Sequence, residues 1–325
     1  MKVALVHDYL KEIGGAERVL MTLQEMFPEA PVYTAYKFPE FFGEFGEFGE
    51  IRESWGKYLP FLPKLISHYT ILSPLFFRSF DLSDYDLVIV SQTGGYFPNG
   101  VRIGSKTKLV TYCHTPPRFL YGYETATRER NKWYWRPISA IANHILLMVD
   151  FAFAQKPHLF IANSKNIAER IKKFYRRESV VVYPPVSPPS IPPLNLSGGK
   201  YGEEIIRKLK NSNIEYLGEV TEEKKWELMA GAKAFLCLSR DEDFGISAVE
   251  AQMCGTPVIA FNGGGYRETV IHNKTGILFD GYNPKKLSDS ISKFETINWN
   301  KKEIIKHAQK FSKENFIKQC RNYLK

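Results

Sequence analysis

The amino-acid sequence predicts an α/β protein with two domains, each built on a parallel sheet. Three observations support this prediction. Short strands that are apolar throughout alternate with helical stretches, a proline-rich segment interrupts the pattern near the middle of the chain, and the same alternation then resumes. Strands without a polar face are typical of parallel sheets that helices cover on both sides. A chain of 325 residues is also long enough to form two hydrophobic cores.

The first domain is predicted over residues 1–183. It opens with an apolar strand at 2–7, a break at Gly14-Gly15 and an apolar helical spacing at 16–26. This order of strand, glycine turn and helix is typical of nucleotide-binding α/β domains. Four more strands are predicted at 87–90, 108–112, 159–162 and 180–183.

A proline-rich linker is predicted at 184–199 and a second domain at 200–325. Proline removes backbone donors and fixes φ, so neither a helix nor a strand can continue through the linker. After the linker, the pattern predicts helices at 203–209, 222–230 and 245–253, and strands at 214–217, 234–238 and 257–261. The last helix of the chain is a candidate to pack back on the first domain.

The net charge and the distribution of basic residues limit the kinds of binding partner that we expect. The formal net charge is +9, and the basic residues are spread along the chain rather than gathered in one block. This distribution fits a solvated basic surface, or a weakly bound anionic partner such as a phosphate-bearing substrate, an anionic lipid or a nucleic acid. The sequence has no zinc-finger spacing, RRM-type signature or Lys/Arg-dense arm, so we expect no nucleic-acid partner.

Cysteine spacing and the N-terminal residues indicate the compartment. The four cysteines show no paired spacing, and the first residues lack the charged and apolar regions of a signal peptide, so we expect a cytoplasmic protein. The longest apolar stretch, 138–154, is short for a bilayer span and contains Asn143, His144 and Asp150. It is therefore predicted to be a buried helix.

Residues 57–78 combine Leu, Ile, Phe and Tyr with Lys57, Lys64, His68 and Arg78. A basic apolar segment of this kind can lie on an anionic membrane surface. It can equally be an ordinary helix that packs on the core. Both interpretations stay open, and the first predicts peripheral contact with the inner face of the membrane.

The strongest functional signal is the string from Asp241 to Glu250, Asp-Glu-Asp-Phe-Gly-Ile-Ser-Ala-Val-Glu, which follows a predicted strand and runs into a predicted helix. If this helix begins near Gly245, its first amides point over the carboxyl end of the sheet, where α/β folds bind ligands. Free amides and the helix dipole favour phosphate oxygens there. Glu242 can meet a sugar and Glu250 a ribose diol. The alternative is a capped helix with incidental acids.

Several strings together resemble the retaining glycosyltransferases of family 4. They are the opening 1–17 with Gly14-Gly15, Cys113-His114-Thr115-Pro116-Pro117-Arg118, Ile161-Ala162-Asn163-Ser164, the 241–250 string, and the segments 255–260, 263–268 and 274–279. They follow in the order of the family and cover nearly the whole chain. The resemblance implies the GT-B fold, in which two Rossmann-like domains face each other across a cleft. The His114 string is similar to a branch that contains many mannosyltransferases.

The resemblance also implies roles for individual residues. His114 and Glu242 are the expected catalytic residues, with His114 near the reacting centre and Glu242 on the transferred sugar as a positioning and electrostatic group. Glu250 is expected to contact the ribose. The expected donor-binding set is Gly14, Gly15, Asn163, Ser164, Phe244, Gly245, Ile246, Ser247 and Glu250.

The implied reaction is the retaining transfer of a hexose from a nucleotide sugar to a lipid-linked or polysaccharide acceptor. GDP-mannose is the favoured donor, on the His114 string alone, and a UDP-sugar is the alternative. We expect neither a cofactor nor a metal, since no His/Asp/Glu cluster has a metal-ligand spacing. A dinucleotide-dependent oxidoreductase is disfavoured because Gly14-Gly15 does not form Gly-x-Gly-x-x-Gly.

The second domain lacks a unit that the resemblance implies. Family members begin this domain with a strand, a glycine-arginine turn and a helix with a lysine, and the Arg and Lys neutralise the donor diphosphate. Residues 184–218 are too few for the linker and a whole βαβ unit. We therefore expect a shortened second domain, with Arg118, Lys200 and Arg267 as candidate phosphate cations. The alternative function is a catalytically weak or inactive relative that binds nucleotide sugars.

Overall fold

The computed structural model describes residues 1–11, 13–38, 48–123, 136–187, 217–218 and 220–324. These residues form two sheets in which neighbouring strands run parallel. The first sheet has the order β3-β2-β1-β4-β5-β6-β7, with strands Val3–His7, Val32–Thr34, Ile51–Glu53, Leu87–Gln92, Lys108–Cys113, Leu159–Ala162 and Ser179–Val181 as β1 to β7. The second has the order β10-β9-β8, with Phe235–Cys237, Val258–Phe261 and Gly276–Phe279 as β8 to β10.

Helices connect and cover the strands. The α-helices are Gly15–Met26, Leu62–Leu65, Ser73–Arg78, Arg136–Phe153, Lys165–Tyr175, Glu222–Gly231, Ile246–Met253, Tyr266–Thr269, Pro284–Glu295, Lys301–Ala308 and Lys313–Leu324. Short 3-10 helices lie at Trp55–Tyr58, Tyr69–Leu72, Pro98–Gly100 and Gln309–Phe311.

Alternation along β1 shows why the first sheet is covered on both faces. Leu5 points into a cluster with Leu20 of the helix Gly15–Met26. Val6 points to the other side, into a cluster with Phe76. Because successive side chains of a strand point to opposite faces, an apolar strand needs a core on each side. The predicted α/β class with buried parallel strands is confirmed.

Most predicted elements are present. Seven predicted strands are found as β1 and as β4 through β9. They were predicted at 2–7, 87–90, 108–112, 159–162, 180–183, 234–238 and 257–261. Three predicted helices, at 16–26, 222–230 and 245–253, are also found. The prediction missed β2, β3 and β10. The predicted helix 203–209, most of the strand 214–217 and the linker from residue 188 lie outside the described residues.

The last helix, Lys313–Leu324, packs on the first domain. Phe316, Cys320 and Leu324 are buried in the same cluster as Leu5 of β1. The Phe316 ring lies edge-on to Tyr112 of β5, with 5.7 Å between centroids. This helix therefore forms part of the core of the first domain.

The stretch predicted as a buried helix is helical but not fully buried. Ile141, Ile145 and Met148 are 67%, 51% and 52% exposed, whereas Leu146 and Asp150 are buried. Their spacing places the exposed three on one side of the helix, away from the core. No helix in the described ranges combines the length and hydropathy needed to cross a membrane.

Candidate active site

A cavity of about 350 Å3 lies where the carboxyl ends of the two sheets meet. Thr93, His114 and Asn163 reach it directly after β4, β5 and β6. The complete lining is Gly15, Ala16, Thr93, His114, Thr115, Asn163, Pro184, Glu242, Asp243, Phe244, Gly245, Ile246, Ser247 and Tyr266. The volume lies at the lower end of the ~300–1,000 Å3 range of small-molecule sites, and carboxyl ends of parallel strands are where such sites form.

The second domain contributes the start of the helix Ile246–Met253 to this cavity. Gly245 precedes the helix with φ of 92°, a left-handed conformation that glycine adopts without strain. The amides of Ile246 and Ser247 come before the first bonded turn, so they are available to an anionic ligand. The position of the helix matches the sequence prediction, which placed its start near Gly245.

The glycine turn of the first domain approaches this helix start closely. A Cβ atom built on Gly15 would lie 2.3 Å from Cδ1 of Ile246, so a larger residue at this position would require the Ile246 side chain to move. The two domains are therefore in contact at this point. A phosphate group could enter between Gly15 and the helix only if the Ile246 side chain rotates or the domains separate.

His114 ends a buried hydrogen-bonded chain that begins at the glycine turn. Its Nε2 lies 3.0 Å from Ser91 Oγ, which lies 3.1 Å from His7 Nδ1. His7 Nε2 lies 3.3 Å from Glu17 Oε1, and Glu17 Oε2 accepts from the Gly14 amide at 2.8 Å. Burial, and the neighbouring His7, lower the pKa of His114 to about 3. His114 is therefore a neutral imidazole at the cavity.

Two glutamates near the cavity, Glu17 and Glu242, have opposite pKa shifts. Burial alone would raise the pKa of Glu17, but the hydrogen bond and charge of His7 outweigh it, and the net pKa is lowered. Glu242, at the cavity, shows the opposite shift. Burial and the charge of Asp243 raise the pKa of Glu242, and the charge of Arg118 and hydrogen bonds from the Asp243 and Gly245 amides offset this only in part.

Asp8, which the sequence prediction missed, holds one wall of the cavity. Its carboxylate accepts hydrogen bonds from Thr93 Oγ1 at 2.6 Å, from the Gly95 amide at 3.0 Å and from the Tyr96 amide at 2.9 Å. Burial raises the pKa of Asp8. These bonds fix the loop that carries Thr93 into the cavity.

Arg118 pairs with acids of the second domain rather than lining the cavity. Its Nη2 lies 2.8 Å from Asp243 Oδ1 and donates to the Asp241 carbonyl oxygen at 2.7 Å. Arg170, also missed from sequence, is buried and pairs with both carboxylates, Asp241 and Asp243. To bind a phosphate group of the donor, Arg118 would first have to break its ion pair with Asp243 and its hydrogen bond to Asp241.

Of the other two candidate cations, only Arg267 lies among the described residues, and it does not line the cavity. Arg267 is exposed, and its Nη2 donates to the Asn262 carbonyl oxygen at 2.9 Å. Lys200 lies outside the described residues. Within the described part of the chain, the cavity lining contains no lysine and no arginine.

Asp241-Glu242-Asp243 has the Asp-x-Asp spacing of metal-dependent transferases of the other main transferase fold, so the expectation that the sequence contains no such metal-ligand spacing was wrong. Here arginines neutralise Asp241 and Asp243. Across the described ranges, no group of three or more His, Cys, Asp or Glu side chains is arranged to hold a metal ion. Metal independence itself stays a prediction.

Glu250 is buried in an ion-pair cluster and does not line the cavity. Its Oε1 lies 3.0 Å from Arg18 Nη1 and 3.0 Å from Lys225 Nζ. Glu222 completes the cluster, with Oε1 2.5 Å from Arg18 Nη2 and Oε2 2.9 Å from Lys225 Nζ. The contact of Glu250 with a ribose stays a prediction, because in this conformation the Glu250 carboxylate is ion-paired with Arg18.

Gly14 and Ser164, two further members of the predicted donor-binding set, have structural partners. Gly14 caps the helix Gly15–Met26 and donates its amide to Glu17. The Ser164 hydroxyl accepts from the Ile167 amide at 3.1 Å and donates to the Asp243 carbonyl oxygen at 2.6 Å. Both lie just behind the cavity wall, and Ser164 links the two domains.

Two family models match this chain. Glycosyltransferase Family 4 matches residues 13–188, and Glycosyl transferases group 1 matches residues 197–312. The chain belongs to glycosyltransferase family 4. Among the relatives of this family 4 chain is the D-inositol 3-phosphate glycosyltransferase of Corynebacterium urealyticum, 27% identical over 239 residues, which are 72% of this chain and 53% of that protein. The glycogen synthase of Thermodesulfovibrio yellowstonii is 33% identical over 124 residues, 37% of this chain and 25% of that protein.

The family 4 chain spans about half the length of the curated relative that it matches over most of its own sequence. Solved structures match along nearly the full length. Sucrose-phosphate synthase from Thermosynechococcus elongatus has a TM-score of 0.69 at 14% identity, covering 99% of this chain and 98% of that one. Anabaena HepE in complex with UDP has a TM-score of 0.64 at 18% identity, covering 100% and 99%. The GT-B fold of two Rossmann-like domains is confirmed, while the shortening of the second domain stays a prediction.

Proposed function

We propose that this family 4 protein transfers a hexose from a nucleotide sugar to a lipid-linked or polysaccharide acceptor, with retention of anomeric configuration and without a metal. The observation that carries the proposal is the cavity, which brings His114 and Glu242 together with the start of the helix Ile246–Met253. GDP-mannose is the favoured donor because of the His114 string. A UDP-sugar is the alternative, and the similarity to a protein solved with UDP and with UDP-glucose supports it.

The residues of the cavity suit departure of a nucleoside diphosphate. Negative charge develops on the diphosphate as the anomeric bond breaks, so amides at the helix start stabilise the transition state more than the ground state. His114, held neutral, can hydrogen-bond a sugar hydroxyl without bringing a charge. Glu242 is proposed to orient the sugar and to act electrostatically, not as a nucleophile of the kind found in retaining glycosidases.

A second candidate function is a nucleotide-sugar-binding protein with weak or no transferase activity. The charge of the cavity favours it. Glu242 and Asp243 line the cavity, and no lysine or arginine does so in the described residues. By analogy with single hydrogen-bond donors, each worth ~2.7–4 kcal/mol in an oxyanion hole, missing phosphate cations would slow transfer greatly.

Calorimetric titration with GDP-mannose, UDP-glucose and NAD, each in EDTA, separates these candidates. We expect one of the two nucleotide sugars to bind and NAD not to bind. A donor-hydrolysis assay with the donor that binds then distinguishes a transferase from a binding relative. Binding of NAD alone, or of none of the three, would contradict both candidates.

A peripheral membrane contact would bring the protein to a lipid-linked acceptor. Tyr58 and Phe61 are 79% and 71% exposed, and Ile71 and Leu75 are also exposed on the same segment. Lys57 adds positive charge beside Tyr58, with Nζ 5.1 Å from the ring centroid. Exposed aromatic and basic side chains favour the interface of an anionic bilayer. The segment forms short helices and turns rather than one helix. Its other side packs on the core, as the alternative interpretation expects, with Phe76 and Phe77 fully buried.

Co-sedimentation with phosphatidylglycerol vesicles, compared with phosphatidylcholine vesicles, tests the membrane contact. The double variant Tyr58→Ser, Phe61→Asn should bind the anionic vesicles less than the natural protein does. Tyr282→Ser is the matched control, because Tyr282 is an exposed aromatic residue of the second domain. Equal binding by all three proteins would contradict a contact through this segment.

A further inference from the structure

The buried chain behind His114 joins four side chains from separate parts of the first domain. His7 ends β1, Ser91 lies in β4, His114 follows β5 and Glu17 lies in the first helix. His7 and Ser91 are fully buried. Such a buried network must satisfy the donor and acceptor of each group, so the direction of its hydrogen bonds is constrained.

We propose that Glu17, His7 and Ser91 are positioning residues that fix the tautomer of His114, so that its Nδ1 faces the cavity as a hydrogen-bond acceptor. The direction follows from the number of protons on each group. A carboxylate only accepts, so Glu17 requires a donated proton from His7 Nε2. With a single proton on its ring, on Nε2, His7 has an unprotonated Nδ1, which accepts from Ser91 Oγ.

Ser91 carries one hydroxyl proton, and that proton is given to His7. Its oxygen must therefore accept from its other neighbour, Nε2 of His114, at 3.0 Å. A neutral imidazole with a proton on Nε2 has a lone pair on Nδ1.

The opposite direction requires one more proton. If His7 were an imidazolium, its Nδ1 would donate to Ser91, Ser91 would donate to His114 Nε2, and His114 Nδ1 would carry a proton into the cavity. The two arrangements differ in what they recognise. The proposed tautomer takes a hydroxyl donor, such as a sugar O–H, whereas the opposite one takes a carbonyl or phosphate oxygen. Only this consequence for the ligand rests on the proposed function.

Nitrogen-15 NMR of the full chain, labelled at histidine and free of ligand, reports the tautomer directly. The His114→Gln variant identifies the His114 signals among the seven histidines by their loss. We expect a protonated Nε2 and an unprotonated Nδ1 in the natural protein at neutral pH. A protonated Nδ1 would overturn the proposal, whether or not the protein binds a nucleotide sugar.

Two variants test the control of the tautomer. Ser91→Ala removes the link, and Glu17→Gln replaces an acceptor by a group that also donates, so both should convert His114 to a mixture of tautomers. Ser91→Thr keeps the hydroxyl and should restore the natural pattern. Ser179→Ala is the matched control, because Ser179 lies in the same sheet with a buried hydroxyl that has no hydrogen-bond partner. Natural His114 signals in both Ser91→Ala and Glu17→Gln would overturn the proposal.

Discussion

Replacement of Arg18 by methionine tests whether buried ion pairs hold the two domains together. Arg18 lies on the first helix of the first domain and contacts Glu250 and Glu222 of the second. Both carboxylates are 4% exposed. Lys225 is the other base of the cluster, so the four side chains carry no net charge. The variant leaves one negative charge without compensation in a buried place.

The cost follows from the depth of the cluster. Two unit charges ~4 Å apart attract by ~4 kcal/mol at an effective dielectric constant of 20, and removing one partner of a buried pair costs ~3–5 kcal/mol. Arg18 is 23% exposed, so water relieves part of this cost. We expect a loss of ~3 kcal/mol in the free energy that holds the domains together.

Urea unfolding followed by tryptophan fluorescence measures the loss. Trp226 is a suitable reporter, because its Nε1 donates to Glu222 Oε2 at 3.2 Å. Arg321→Met is the matched control, since Arg321 is exposed on the last helix. A loss below ~1 kcal/mol, or one equal to that of the control, would refute the ion-pair reasoning.

The same cluster sets a pH dependence with a definite sign. Burial alone would raise the pKa of Glu222, but the hydrogen bond to Lys225 and the charge of Arg18 outweigh it, and the net pKa is lowered from 4.5. A carboxyl with a lowered pKa in the folded state contributes stability above its unfolded pKa and loses it as pH falls. The difference between the natural protein and Arg18→Met should therefore shrink below about pH 4.5.

Three further substitutions have expected outcomes. Glu242→Gln should abolish transfer in a hexosyl-transfer assay while donor affinity by calorimetry changes little, and full activity would show that the carboxylate is structural. Gly15→Ala should lower stability in urea unfolding because its methyl group meets Ile246, and Ile246→Ala should restore it in the double variant; no rescue would mean that the clash lies elsewhere. Burial raises the pKa of Asp150 to about 7, so its contribution is greatest at low pH and is lost as pH rises toward 7. Asp150→Asn should therefore gain stability relative to the natural protein between about pH 4 and pH 8, by up to ~4 kcal/mol for three pKa units, and a pH-independent difference would contradict this.

The fold was largely predictable because its signals are local. A parallel strand that is buried on both faces is visible as an apolar run, and the long strands β4 and β5 were found in this way. β7 and β8 are as short as β2 and β3 but lie in longer apolar runs of the sequence, whereas β3 includes Arg52 and Glu53 and so does not form an apolar run. For the helix Arg136–Phe153 the sequence shows an apolar character but not which side the core covers, so Ile141 was wrongly expected to be buried.

The partners of the site residues were not predictable, because they are set by the order of strands in the sheet. β1 pairs with β4, which brings His7 beside Ser91 although 84 residues separate them. Arg18 and Glu250 are 232 residues apart, and their contact depends on how the domains pack. No local pattern marks either pair, so the sequence pointed to His114 and Glu250 without the groups that form their hydrogen bonds and ion pairs.

A resemblance to a family can therefore assign the position of a residue, but its role also depends on partners that the sequence does not show. A family string places Glu250 on the helix that follows the cavity, and the structure places it there. A role in ribose binding further requires that the carboxylate be open to a ligand, and Arg18 and Lys225 occupy it here. Ribose binding therefore requires that Glu250 exchange Arg18 for a diol, which weakens the contact between the domains. If Glu250 has that role, Arg18→Met should lower stability and strengthen donor binding together, whereas a loss of both would show that the ion pair supports the donor site as it stands.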